Sequence, residues 1–159
     1  MVNIIDYISE TDDKDYIFIR GHLYLESLMS EIIKKSYVDN DAAFEIGKMF
    51  YNKVKLLKAS GIIDDSIEKL LLEINKVRNK MAHDMNYHLT FDDFYRLVCF
   101  SCRAGVDYSD DSIEIEEDCK EYYFDDTNVG VTELVCNTFQ KLVYDTGLFT
   151  DDEISNLLC

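Results

Sequence analysis

The chain has 159 residues, 47% of them apolar and 13% aromatic, which is enough to build a hydrophobic core and excludes a disordered protein. Its 16 basic and 32 acidic residues give a formal charge of −16, which repels nucleic acids at long range, so any RNA-binding role requires a local basic site. No apolar run reaches the length of a membrane span, and the N-terminus lacks a signal-peptide pattern, so we expect a cytoplasmic protein.

Proline is absent and the six glycines are scattered, so no linker divides the chain. We therefore predict a single domain over residues 1–159. It comprises a helical core of about residues 13–105, an acidic loop of about residues 106–128 and C-terminal helices of about residues 130–158.

The first long helix is predicted over residues 13–37, with apolar side chains around much of its circumference. A second is predicted over residues 41–60, ended by Gly61 at a C-cap position. A third begins at Asp64 or Asp65 and ends near Met85.

Thr90 is a suitable N-cap for the fourth helix. Residues 131–144 form the fifth, and Thr150 with Glu153 makes a capping box for a short last helix. The fold class predicted is all-α.

The segment from Gly105 to Asp126 contains ten acidic residues and one lysine, Lys120. Apolar and polar residues alternate around Ile113 and Ile115, which is compatible with a short exposed strand or with a loop docked by its apolar side chains. We favour a solvated loop over an acidic lid, because charge runs usually face water.

Five cysteines are present, and Cys99 and Cys102 form the one closely spaced pair, inside a helical pattern. Because the spacing of zinc ligands is incomplete, buried reduced thiols are the better interpretation. We expect neither a metal nor another cofactor.

The hexapeptide Arg78-Asn79-Lys80-Met81-Ala82-His83 carries the candidate site. Five residues of helix turn through about 500°, so Arg78 and His83 point about 140° apart, whereas Asn79 and His83 share a face. Arg78 falls on the apolar stripe and needs a partner, for which Glu26 on the first helix is the candidate. The pair would hold the guanidinium at a cleft or a dimer interface, although such pairs are more often structural than catalytic.

Half of the 16 basic residues lie between Lys48 and Lys80, against four acidic ones. Lys76 and Lys80 in this stretch are candidate RNA contacts beside His83. His22 is predicted to lie on the surface of the first helix, and His88 in a loop.

The arginine, asparagine and histidine of the hexapeptide, with the preceding run from Phe44, resemble the HEPN superfamily and most of all its mannitol operon repressor-like branch. The stretch Leu23-Tyr24-Leu25-Glu26-Ser27-Leu28 is similar to the first helix of that family, including its acidic position. The resemblance covers roughly residues 15–100.

This resemblance implies an antiparallel helical bundle that forms a homodimer with two motifs facing one cleft, here with additional C-terminal helices. It also implies a metal-independent endoribonuclease, a toxin or antiviral defence effector, that leaves 2′,3′-cyclic phosphate and 5′-hydroxyl ends. His83 would act as general acid or base, and Arg78 would hold the phosphate. Asn79 would orient the phosphate or His83. The alternative is a non-catalytic regulator that acts through protein contacts, with an antitoxin or regulatory protein as partner. Under either hypothesis we expect neither DNA nor a membrane as a partner.

Overall fold

The computed structural model describes residues 3–8, 11–37 and 49–158, and these ranges form helices and connecting turns without a strand. The all-α prediction is therefore confirmed. The helices are α1 (Ile4–Ile8), α2 (Lys14–Ser36), α3 (Phe50–Ala59), α4 (Asp65–His83), α5 (Phe91–Arg103), α6 (Glu116–Asp118), α7 (Val129–Thr146) and α8 (Asp151–Leu158). None of the helices in the described ranges is long and apolar enough to cross a bilayer.

Side-chain caps fix where the helices begin. The side chains of Asp13, Asp64 and Thr90 accept backbone N–H hydrogen bonds at the starts of α2, α4 and α5, which confirms the predicted cap at Thr90. At α8, the backbone N–H of Thr150 donates to the Glu153 carboxylate and the N–H of Glu153 donates to the Thr150 hydroxyl. This is the predicted capping box.

The second predicted helix is confirmed over Phe50–Ala59, whereas its predicted start, residues 41–48, lies outside the described residues. Gly61 follows this helix with φ of 71°, a left-handed conformation that glycine adopts without the steric cost of a side chain. The chain then reverses into α4.

Helix α2 lies at the centre of the core and contacts α1, α3, α4 and α7. Leu25, Leu28, Met29 and Ile32 on this helix are fully buried. Gly21 allows α7 to approach closely, because a Cβ atom built at Gly21 would lie 2.3 Å from Cγ1 of Val135. On its other side α2 faces α4, which packs between α3 and α5.

The acidic segment is helical rather than extended, so the strand interpretation is wrong. It forms a 3₁₀ turn (Asp111–Glu114), then α6, then a π-helical segment (Cys119–Asp125). Ile113, Cys119 and Phe124 are buried, which confirms docking through apolar side chains. The Lys14 ammonium donates to the Phe124 carbonyl and so joins this segment to the start of α2.

Candidate functional site

The exposed face of α4 forms one wall of an open groove of about 600 Å³. Asn79 and His83 lie side by side in it, which confirms that they share a face of the helix. The groove is also lined by apolar Leu72, the carboxylate of Glu73, and Tyr51, Asn75, Lys76 and Lys80. The groove therefore places an imidazole, two carboxamides, two ammonium groups and one carboxylate together.

His83 is the last residue of α4 and its side chain is exposed. Within the described ranges the ring makes no hydrogen bond or ion pair, so both nitrogens are open to a bound molecule. Imidazole is the side chain that general acid–base catalysis uses most often.

The two lysines of the groove are paired to different extents. The Lys76 ammonium lies 3.4 Å from Glu73 and the lysine side chain is 59% exposed, a weak surface contact. Lys80 lies 3.2 Å from the Asp93 carboxylate and 3.4 Å from the Tyr87 hydroxyl, and hydrogen bonds to these two groups raise its pKa. Lys76 is therefore the freer of the two cations.

Asp93 is a buried acceptor, 3% exposed, in the first turn of α5. It accepts from Lys80, Arg96, Thr90 and Tyr87. Burial alone would raise the pKa of this carboxyl, but the hydrogen bonds from Tyr87, Lys80 and Arg96 outweigh burial and lower it. The charged carboxylate fixes the end of α4 against α5.

The predicted ion pair between Arg78 and Glu26 is wrong. Glu26 instead accepts from Lys53 at 2.8 Å, and no ion pair joins it to Arg78 among the described residues. The Arg78 guanidinium donates to the Asn79 side-chain oxygen at 3.3 Å. Arg78 does not line the His83 groove, as the helical angle between the two residues predicted.

His22 is not a surface residue but is 2% exposed, between α2, α3 and α4, so that prediction is wrong. Its ring stacks on Phe50 at a centroid distance of 4.2 Å, and Nε2 lies 3.2 Å from Oδ1 of Asn75. Burial and, less strongly, the positive charge of Arg78 outweigh the hydrogen bond to Asn75 and lower its pKa to about 4. His22 is therefore neutral at pH 7.

A sequence signal for this burial existed. His22 is four residues after Phe18, three before Leu25 and seven before Met29, and all three of these are buried on α2. The same spacing that marks the core face of the helix includes the histidine.

His88 lies in the loop after α4, as predicted, and is exposed. Its Nδ1 atom lies 2.6 Å from the Asp15 carboxylate, and this hydrogen bond raises its pKa. The contact joins the loop to the start of α2, away from the groove.

The basic stretch is largely neutralised by neighbouring carboxylates. Five of its lysines form ion pairs: Lys53 with Glu26, Lys55 with Glu68, Lys58 with Asp65, Lys76 with Glu73 and Lys80 with Asp93. Within the described residues Lys69 and Arg78 have no such partner, and Lys48 lies outside those residues. The stretch therefore offers fewer unpaired positive charges than its number of basic residues suggests.

The described cysteines lie partly or fully buried in the helical core and serve as packing residues. Cys119 is buried, and Cys99, Cys102 and Cys136 are half-buried and free. Burial raises the pKa of Cys102 to about 11 and that of Cys119 to about 12. Cys102 and Cys119 are therefore protonated at neutral pH and poorly nucleophilic.

The protein is therefore α-helical, with a largely polar groove along the exposed face of α4. The chain belongs to the family described as a domain of unknown function, DUF4145, whose profile matches residues 23–104. That range includes most of α2 and all of α3, α4 and α5, hence the whole groove. No curated protein and no solved structure matches the chain.

Proposed function

We propose that the protein is a metal-independent endoribonuclease of the HEPN type, a toxin or antiviral defence effector. The observation that carries this proposal is the exposed His83 imidazole, free of protein hydrogen bonds in the described ranges, beside Asn79 and Lys76 in an open groove. A proton-transfer group next to amide and ammonium donors is the minimum that RNA cleavage without a metal requires.

The reaction is an internal transesterification. The ribose 2′-oxygen forms a bond to phosphorus as the bond from phosphorus to the 5′-oxygen breaks, which leaves a 2′,3′-cyclic phosphate and a 5′-hydroxyl. His83 takes the proton from the 2′-hydroxyl while water protonates the departing 5′-oxygen, or His83 protonates the 5′-oxygen while water takes the 2′-hydroxyl proton. Asn79 and Lys76 donate to the non-bridging oxygens, where negative charge develops.

In this proposal the arginine that binds the phosphate is Arg78 of a second copy of the chain. Because Arg78 and His83 lie on different faces of α4, one chain does not present both to the same phosphate. A homodimer in which two α4 helices face one cleft would supply Arg78 from one copy and His83 from the other. A half-buried guanidinium without a carboxylate partner among the described residues is suited to that task.

Cleavage of RNA by purified protein in the presence of a metal chelator tests the proposal. The wild type should cut RNA, leaving the ends given above, and His83→Ala should lose this activity. His88→Ala, which removes an exposed histidine outside the groove, should cut as the wild type does. Equal cleavage by His83→Ala and the wild type would overturn the proposal.

A non-catalytic regulator is the second candidate. The separation of Arg78 from His83 and the pairing of most lysines favour it, and the net charge of −16 suits contact with a basic protein partner. It predicts that the wild type neither cuts RNA nor arrests growth when expressed. It also predicts that one specific protein, an antitoxin or a regulatory partner, is recovered with it.

A further inference from the structure

A second cavity, of about 480 Å³, continues from the His83 groove along the seam between α4 and α5. Its lining consists of Ser66, Lys69, Leu72, Glu73, Phe100 and Arg103. Leu72 and Glu73 line both cavities, so the two form one track. From Ser66 to His83 the track follows α4 for roughly 25 Å.

The far end of the track has two cations without a carboxylate partner in the described ranges, and the guanidinium of Arg103 lies over the Phe100 ring, 5.9 Å from its centroid. Lys69 and Arg103 are exposed, and neither forms an ion pair within the described residues. Lys69 has an electrostatic effect on Asp65, but the Asp65 carboxylate is bound by Lys58 at 2.5 Å. In a chain with twice as many acidic as basic residues, two unneutralised cations in one cavity mark a place for an anion.

The carboxylate in the middle of the track is neutralised. Glu73 lies 3.4 Å from Lys76 on α4 and 3.4 Å from Arg96 on α5. Its negative charge is therefore compensated on both sides, and the track is positive or neutral along its length.

Each cavity also presents an aromatic ring. Phe100 lines the far cavity and is half-buried, and Tyr51, which is 51% exposed, lines the groove beside His83. Rings between cations bind single strands well, because unpaired bases stack on the rings while the phosphates meet the cations.

We propose that single-stranded RNA binds along this track, with Lys69 and Arg103 holding phosphates remote from the one beside His83. This inference rests on the proposed function and gives its substrate class. A duplex should bind poorly, since its bases are already stacked and paired.

Fluorescence anisotropy with a labelled single strand of roughly eight nucleotides tests this inference. Every protein carries His83→Ala, so that binding is measured without cleavage. Adding Lys69→Gln and Arg103→Gln should raise the Kd roughly tenfold and reduce the slope of log Kd against log salt by about 2. Adding Glu73→Gln should tighten binding, because it removes the one carboxylate in the lining of the track.

The matched control is Lys34→Gln with Lys120→Gln, which changes net charge equally at two exposed lysines outside the track. An equal loss of binding in the control and the test variant would overturn the inference, since net charge alone would then explain it. Preference for the duplex would overturn it as well. If the His83→Ala protein binds as expected but the wild type does not cut RNA, the result would instead count against the proposed function and leave the track supported.

Discussion

The Nε2 atom of His22 lies 3.2 Å from the Oδ1 atom of Asn75, so a buried imidazole on α2 contacts a residue that lines the His83 groove. The other ring nitrogen, Nδ1, is buried without a partner. Because an unpaired N–H costs more than an unpaired acceptor, Nε2 carries the proton and donates to Asn75. The bond leaves the carboxamide N–H groups of Asn75 available to the groove.

His22 should make the protein less stable as the pH falls. Its pKa is about 4 in the folded chain and 6.5 in the unfolded chain. Between these values the unfolded chain binds a proton at His22 and the folded chain does not. The free energy of unfolding should fall by up to roughly 3 kcal/mol between about pH 6.5 and 4, and His22→Gln should remove this part of the fall. Urea unfolding of both proteins at several pH values measures it.

His88 provides a control of opposite sign. Its pKa is raised in the folded protein by Asp15, so its contribution is present below pH 6.5 and is lost as the pH rises through the folded pKa. The stability difference between wild type and His88→Gln should therefore shrink with rising pH. The same trend for both histidine variants would contradict the burial of His22.

Gly21→Ala should destabilise the protein by roughly 1–3 kcal/mol, although alanine favours helix formation. The added Cβ would lie 2.3 Å from Cγ1 of Val135 on α7, so the two helices would have to separate. Val135→Ala should recover much of the loss in the double variant. A thermodynamic cycle of the four proteins, measured by urea unfolding, gives the coupling, and additive effects would contradict this packing.

Lys53 should matter more for stability than Arg78. Lys53 is 8% exposed and its ammonium lies 2.8 Å from Glu26, so Lys53→Met leaves that carboxylate without its partner and should cost roughly 1–3 kcal/mol. Arg78→Met breaks no ion pair and should cost less than about 1 kcal/mol. Chemical unfolding of both variants compares them directly.

The double variant Lys53→Met with Glu26→Leu serves as the control for that comparison. Replacing both charges by apolar side chains should restore most of the stability that Lys53→Met loses. A larger cost for Arg78→Met than for Lys53→Met would instead support the pairing of Arg78 with Glu26 that the sequence predicted.

The elements that sequence reasoning predicted well depend on local chemistry. Asp13, Asp64 and Thr90 cap their helices through hydrogen bonds to residues two or three positions away, and Gly61 has the backbone conformation that its place after a helix requires. Asn79 and His83 share a face because four residues make about one helical turn. Such features need no knowledge of the tertiary fold.

The errors at the candidate site and around His22 concern contacts between helices. Helical spacing placed Arg78 and Glu26 in apolar surroundings, but it could not show that Lys53 on a third helix lies closer to the carboxylate. The burial of His22 likewise depends on Asn75, 53 positions away, which provides the hydrogen bond that a buried imidazole needs. The partners of a charged or polar side chain are fixed by packing, which one sequence does not reveal.

Asp93→Asn should cost roughly 3 kcal/mol, whereas Asp92→Asn, one position earlier in the same first turn of α5, should cost less than about 1 kcal/mol. Asp93 is 3% exposed and its charge is shared by Lys80 and Arg96, while Asp92 is exposed and acts only on the helix terminus. The neutral amide also frees Lys80 from its anchor beside the His83 groove. Urea unfolding of the two variants measures the difference, and equal costs would contradict the role of Asp93 in joining α4 to α5.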